Sequence, residues 1–162
     1  MGIKIRPAKY YDARSIVAIY NYFIKNSLAA YSTTQVDIAY FKKVKKSAQG
    51  YPFFVVESDK KVIGYGYGRP YNYLDTCKNT ATLTYFILPE YTGRGLGTRL
   101  FDTIIDELRK KNMHNIIVNI SSVNQQSINF HKKMGFVECG QFKKIGKKSG
   151  QIFDMLWMQK FI

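Results

Sequence analysis

Tyr85-Phe86-Ile87-Leu88-Pro89-Glu90-Tyr91-Thr92-Gly93-Arg94-Gly95-Leu96-Gly97-Thr98 decides how the chain is read, because a strand passes through a glycine turn straight into the best helix of the sequence. Upstream, Thr80, Thr82, Thr84, Phe86 and Leu88 alternate with Ala81, Leu83, Tyr85 and Ile87, the pattern of a two-faced strand, ended by Pro89. Downstream, Leu96, Leu100, Phe101, Ile104, Ile105 and Leu108 form one apolar stripe, and Arg109, Lys110 and Lys111 fall in the last turn, where the dipole favours cations. Between them, the three alternating glycines remove Cβ atoms where backbone N–H groups must approach an anion, and the helix start adds unpaired donors. The turn therefore reads as a phosphate site, with Arg94 and Arg99 adding charge; a plain tight strand-to-helix turn is the alternative. A Walker loop is excluded because Gly97 is followed by Thr98 and Arg99, and Gly-x-Gly-x-x-Gly is excluded because Thr98 stands three beyond Gly95.

Working toward the N-terminus, Phe53 to Ser58 and Val62 to Tyr67 read as a hairpin through Asp59-Lys60-Lys61, followed by a tyrosine-rich loop from Gly68 to Asn79. Ile38, Phe41 and Val44 mark a basic helix from about Asp37 to Ser47, ended by Gly50 and Pro52. Ile3 to Arg6 is a first strand stopped by Pro7, and Asp12 is expected to cap a helix bearing Ile16, Ile19, Tyr20, Phe23 and Ile24. Toward the C-terminus, Ile116 to Ile120 is a buried strand, Ser127 to Met134 a short helix stopped by Gly135, and Phe136 to Phe142 and Ile152 to Gln159 two closing strands. This mixed order predicts an α+β arrangement around one central sheet, in a single domain over residues 1–162 with no repeat and no linker.

With 46 % hydrophobic and 22 % charged residues the composition is globular, which excludes a disordered chain. The longest apolar runs, such as Phe53-Phe54-Val55-Val56, are too short to span a bilayer and no signal peptide opens the chain, so no membrane association and a cytoplasmic location are expected. Cys77 and Cys139 form no Cys-x-x-Cys pair, so no metal site is expected. A net charge of +14 favours polyanions: RNA, DNA, acidic lipid or a phosphorylated cofactor.

Thr92-Gly93-Arg94-Gly95-Leu96-Gly97 after a strand resembles the pyrophosphate loop of the GCN5-related N-acetyltransferases, whose usual pattern is Arg/Gln-x-x-Gly-x-Gly/Ala; Thr92 departs at the first position. The resemblance spans nearly the whole chain, through Ile5-Arg6-Pro7-Ala8, Ile19-Tyr20-Asn21, Gly64-Tyr65-Gly66-Tyr67 and Asn124-Gln125-Gln126-Ser127-Ile128-Asn129-Phe130-His131, with Gly135-Phe136 following. Within that superfamily it is most similar to the phosphinothricin and methionine sulfoximine acetyltransferase group. The resemblance implies a central, largely antiparallel sheet whose splayed strands admit acetyl-coenzyme A. It further implies that the pantetheine arm bonds to the backbone of Tyr85, Phe86 and Ile87, the pyrophosphate rests on the N–H groups from Gly93 to Thr98, including those of Arg94, Gly95, Leu96 and Gly97, and Asn124 contacts the cofactor or fixes the splayed strand. Positions 124, 127 and 131 fall at about 0°, 300° and 340° around a helix, so Asn124, Ser127 and His131 can converge; an Asn cap with Ser and His in ordinary packing is the alternative.

In the resembled group a glutamate on the strand before the glycine loop is the general base, and a gapless alignment puts Thr82 there. Threonine is no base at neutral pH. His131 is the first replacement candidate, ahead of Glu90, Asp75 and Tyr73, since imidazole titrates at about 6.5. Tyr31, Arg69, Tyr71 and Tyr73 are expected to shape the acceptor pocket, with Arg69 holding a substrate carboxylate, which makes a small amino acid or amine the leading acceptor. The competing readings are a nucleic-acid or ribosome-associated binding module, prompted by the charge, and an acetyltransferase acting on a protein amine. Against the nucleic-acid reading, Lys42, Lys43, Lys45 and Lys46 read as a solvated helix face; a homodimer is compatible with the resemblance.

Overall fold

The structure, a computed structural model, describes residues 2–162. Seven strands form one sheet: β1 (Ile3–Pro7), β2 (Phe53–Ser58), β3 (Lys61–Pro70), β4 (Thr80–Ile87), β5 (Asn115–Ser121), β6 (Val137–Lys148) and β7 (Gln151–Phe161), in the spatial order β1-β2-β3-β4-β5-β7-β6. Every neighbouring pair is antiparallel except β4 and β5, which are parallel. Four helices cover the sheet: α1 (Ala13–Asn26), α2 (Ile38–Ser47), α3 (Leu96–Arg109) and α4 (Gln125–Lys133).

Alternation along the strands divides the apolar residues into two cores. Ala81, Leu83, Ile116, Val118 and Ile120 meet Leu96, Leu100, Phe101, Ile104, Ile105 and Leu108 of α3 on one face. Tyr65, Tyr67 and Phe86 meet Ile16, Ile19 and Phe41 from α1 and α2 on the other. Each fully buried aliphatic side chain contributes about 1.5–3 kcal/mol, so the six buried positions of α3 anchor the helix that the glycine turn opens. The Gly64-Tyr65-Gly66-Tyr67 run has a packing cause: a Cβ on Gly66 would lie 2.9 Å from Ile104 Cδ1 and 2.9 Å from Tyr85 Cβ, so α3 can sit directly against β3 only where the side chain is absent.

Three sequence expectations change. Asp12 stands at the start of α1 without capping it; its carboxylate accepts from Arg6 Nη1 and Nη2, both at 2.8 Å, and from the Lys9 N–H at 2.8 Å, because a buried carboxylate is better satisfied by a guanidinium than by a helix amide. Strand β3 runs on to Pro70, shortening the tyrosine loop, which holds a 3-10 turn at Asp75–Cys77. Strand β6 extends to Lys148 although most of its residues are exposed, since an edge strand is held by main-chain pairing to β7 and carries no alternation of apolar residues.

Candidate active site

The parallel pair β4–β5 is in register only from Thr80 to Thr82 against Asn115 to Ile117, and beyond that point the two strands part. Toward β3, the Leu88 N–H donates to the Ile63 carbonyl at 3.0 Å and the Tyr71 N–H to the Thr80 carbonyl at 3.1 Å, so the even-numbered residues of β4 point their main chain into β3. Leu83, Tyr85 and Ile87 therefore point theirs into the gap on the β5 side. Phe86, expected to offer its backbone there, instead pairs with Tyr65, and it reaches the opening only with its ring.

At the far end of β4 the chain turns through a 3-10 turn, Pro89–Tyr91, into the glycine segment. Gly93 and Gly95 have φ of +75° and +74°, a left-handed conformation that glycine adopts without strain, and Gly95 is the residue from which α3 starts. The first helical bond runs from the Arg99 N–H to the Gly95 carbonyl at 3.0 Å. Among the described residues, the N–H groups of Gly93, Arg94, Gly95, Leu96, Gly97 and Thr98 have no acceptor, which leaves six consecutive donors at a helix start. Thr92, which departs from the resembled motif, uses its N–H and its Oγ1 locally on the Pro89 carbonyl, at 3.0 and 2.8 Å. The Arg94 guanidinium lies over the Tyr91 ring at 5.9 Å.

Asn124, Ser127 and His131 come together as their helical spacing allows, and all three line a cavity of about 300 Å³ in the β4–β5 gap. Asn124 caps α4, its Oδ1 accepting from the Ser127 N–H at 3.1 Å. His131 Nδ1 lies 2.7 Å from the Ser127 carbonyl, which can only accept, so the proton resides on Nδ1 and Nε2 is the acceptor for the Tyr85 hydroxyl. His131 is 4 % exposed, and burial pushes its imidazole down to about 4 against the weaker opposing pull of the Ser127 carbonyl, so the ring is neutral at pH 7. Burial likewise raises the Tyr85 phenol well above its usual range. The result is a neutral, hydrogen-bonded Tyr85–His131 pair at the edge of the opening.

On the opposite face of the sheet the same cavity is bounded by Tyr31, Arg69 and Thr82. Arg69 is the cross-strand neighbour of Thr82, which is buried. Tyr31 donates to the Asn119 carbonyl at 3.3 Å and stacks on Phe153 at 6.0 Å. Tyr71 and Tyr73 do not join them: Tyr71 packs its edge on Trp157, and Tyr73 is 84 % exposed, because neither belongs to an element with a face toward the cavity. Glu90 and Asp75 also lie in exposed turns outside it.

Sequence reasoning missed the tyrosines that roof the cavity. Tyr20 of α1 stacks on Tyr40 of α2 at 4.2 Å, and the Tyr40 hydroxyl lies 3.3 Å from that of Tyr65; Tyr20 reads only as an apolar-face residue and Tyr40 falls outside the Ile38, Phe41 and Val44 stripe, so neither position signals where its hydroxyl lies. It missed Ser121 as well. Only 1 % of Ser121 is exposed, its Oγ has no partner, and it lines the cavity where β5 leaves β4. Lys148, at the end of β6, is buried and donates to the carbonyls of Ser27 and Ala30 at 2.8 and 2.6 Å, which ties down the segment carrying Ala29, Ala30 and Tyr31 over the cavity.

A family profile described as "Acetyltransferase (GNAT) domain" matches residues 5–157. The chain is 32 % identical to the L-amino acid N-acyltransferase MnaT of Escherichia coli, over 97 % of this chain and 92 % of that protein. It is 30 % identical to the L-methionine sulfoximine/L-methionine sulfone acetyltransferase of Pseudomonas aeruginosa, over 98 % and 94 %. Among solved structures, a phosphinothricin acetyltransferase from Sinorhizobium meliloti in complex with AcCoA superposes with a TM-score of 0.93 at 27 % identity, covering 100 % of this chain and 89 % of the other. A ribosomal-protein-alanine N-acetyltransferase from Brucella melitensis superposes with a TM-score of 0.91 at 32 % identity, covering 98 % and 99 %. No helix among the described residues is long and apolar enough to cross a membrane.

Proposed function

The chain belongs to the GNAT acetyltransferase family, and from that premise we propose that its β4–β5 opening transfers an acetyl group from acetyl-coenzyme A to the amine of a small amino acid or amino-acid analogue. The donor, when bound, supplies an acetyl thioester. The chain's own groups suit its parts: six free amides from Gly93 to Thr98 for a diphosphate, and the gap-facing main chain of Tyr85 and Ile87 for the amides of a pantetheine arm. An N–H in the gap, that of Ile87 first, is a donor for the carbonyl oxygen as charge grows on it.

The acceptor side fits an amino acid. Arg69 offers a forked pair of donors for a carboxylate, and the tyrosine roof leaves about 300 Å³, the size of a small molecule rather than of a protein segment. Tyr85 holds a hydroxyl proton oriented by His131 Nε2, and we assign that hydroxyl to delivering its proton to the departing sulfur and regaining the one that the attacking nitrogen sheds, with His131 Nε2 acting only as an acceptor that holds the hydroxyl in place. Thr82 faces the cavity as a neutral hydroxyl that can hydrogen-bond the amine but not ionise near pH 7.

The observation that carries this reading is the run of six unsatisfied amides following the stretch of β4 whose β5-side edge, beyond Thr82, has no strand paired to it. Its test is thiol release from acetyl-coenzyme A with L-methionine sulfone, L-methionine sulfoximine, phosphinothricin and the common amino acids. Turnover with one or more of them is expected, reduced at least tenfold by Arg69→Gln through KM for acceptors that carry a carboxylate; no turnover across the series refutes it.

A further inference from the structure

We propose that the acceptor amine enters this cavity already deprotonated, so that the enzyme selects among amino acids by the basicity of their nitrogen and favours those whose side chain withdraws electrons from it. The inference rests on the acetyl-transfer reading and concerns how that same site chooses its acceptor.

Among the described residues lining the cavity there is no aspartate and no glutamate. The titratable groups that face it are Tyr20 from α1, Tyr31 from the segment after it, Tyr40 from α2 and Tyr67 from β3. Tyr85 of β4, His131 of α4 and the guanidinium of Arg69 complete the set. The single full charge is therefore a cation, which disfavours an ammonium group beside it. His131 cannot serve as a free base: Nδ1–H is committed to the Ser127 carbonyl and Nε2 to the Tyr85 hydroxyl. Burial raises the phenols of Tyr31 and Tyr40, which keeps them protonated at neutral pH. Thr82 and Ser121 bring only hydroxyls.

The proton balance follows from that inventory. A neutral amine forms a bond from nitrogen to the acetyl carbonyl carbon, the bond from that carbon to sulfur breaks, and the one proton that nitrogen sheds equals the one that sulfur takes up. No base is needed beyond a relay. An ammonium group would bring a second proton, and the cavity holds nothing to receive it. Because nucleophilicity falls with basicity more slowly than the deprotonated fraction rises, the weaker base is the better acceptor near pH 7.

The test compares L-methionine sulfone with L-methionine, the sulfone group making the first amine the weaker base. With saturating acetyl-coenzyme A, kcat/KM should rise about tenfold per pH unit and bend at the ordinary amine pKa of each acceptor, determined by titration in the same buffer. The two bends should be separated as those two values are. An equilibrium readout is independent of turnover: calorimetry of each acceptor binding to the coenzyme A-loaded protein at about pH 7, in buffers of different ionisation heat, should report about one proton released per acceptor bound. Thr82→Glu, which introduces a carboxylate beside Arg69, should draw the two bends to one shared, lower pH. A bend shared by both acceptors in the unaltered protein, or binding without proton release, overturns the inference while leaving acetyl transfer intact. Failure of both amino acids to bind or react overturns the acetyl-transfer reading and this inference together.

Discussion

Lowering the pH from 6.5 toward 4 should strip stability from the fold through one residue, His131. Its ring is nearly inaccessible among Tyr85, Phe130 and Phe136, and burial pushes its imidazole from the ordinary 6.5 down to about 4. Between those two values the unfolded chain takes up a proton that the folded chain refuses. The stabilisation is therefore complete above pH 6.5 and is lost as the pH falls through the interval to about 4. At 1.36 kcal/mol per pH unit the loss is about 3 kcal/mol, a large share of the stability of a domain this size. The carboxylates of Asp12 and Asp154, both held below their usual 3.8, begin to give up their contributions as the pH nears 4 and lose most of them in stronger acid, and they do so equally with and without the imidazole. Guanidinium denaturation at pH 7, 5.5 and 4 measures the effect, with His131→Phe as the control that removes the imidazole and cancels every other titrating group. The unaltered protein should lose about 3 kcal/mol more than the variant over that range. Parallel losses in both proteins, or a His131 imidazole NMR signal, assigned by its absence from His131→Phe, titrating near 6.5, would refute the reasoning.

The remaining predictions concern the glycine turn, the buried lysine and the unpartnered serine. Gly95→Ala introduces a methyl that meets nothing within 4 Å, so its cost is purely conformational, about 1–2 kcal/mol for a left-handed residue, and coenzyme A affinity measured by calorimetry should fall with it. Lys148→Met removes two charge-assisted hydrogen bonds from the Ser27 and Ala30 carbonyls; a loss of about 3 kcal/mol in denaturation and a raised acceptor KM are expected, since those carbonyls hold the Tyr31 segment. Ser121→Ala should leave the melting temperature unchanged or higher, because an orphaned buried hydroxyl costs about 1–3 kcal/mol and alanine has none to satisfy.

The β4–turn–α3 unit was legible because strand alternation, glycine placement and the helical stripe agree within one short stretch. The α4 triad was legible for a similar reason: Asn124 is a capping residue type, and helical spacing alone brings Ser127 and His131 to the same side. Tyr71 and Tyr73 misled, since a tyrosine in a loop carries no periodic signal of where it faces. Tyr20 was visible on the apolar face of the first helix and Tyr40 was not singled out, and nothing in their spacing reveals that they roof a cavity made by other elements. Lys148 was beyond reach for a physical reason: its partners are main-chain carbonyls more than a hundred residues away, and a carbonyl leaves no residue-type signature in sequence. Thr82 marks the middle case, where the position was read from resemblance and the geometry explains what its side chain can do there.

The most direct test of the central claim is a heteronuclear NMR titration of the 15N-labelled protein with coenzyme A. The amide resonances of Gly93 to Thr98 should shift most, as donors that now have no acceptor meet a diphosphate, with Tyr85 and Ile87 shifting alongside them. Saturable binding that leaves those eight amides where they were would contradict it.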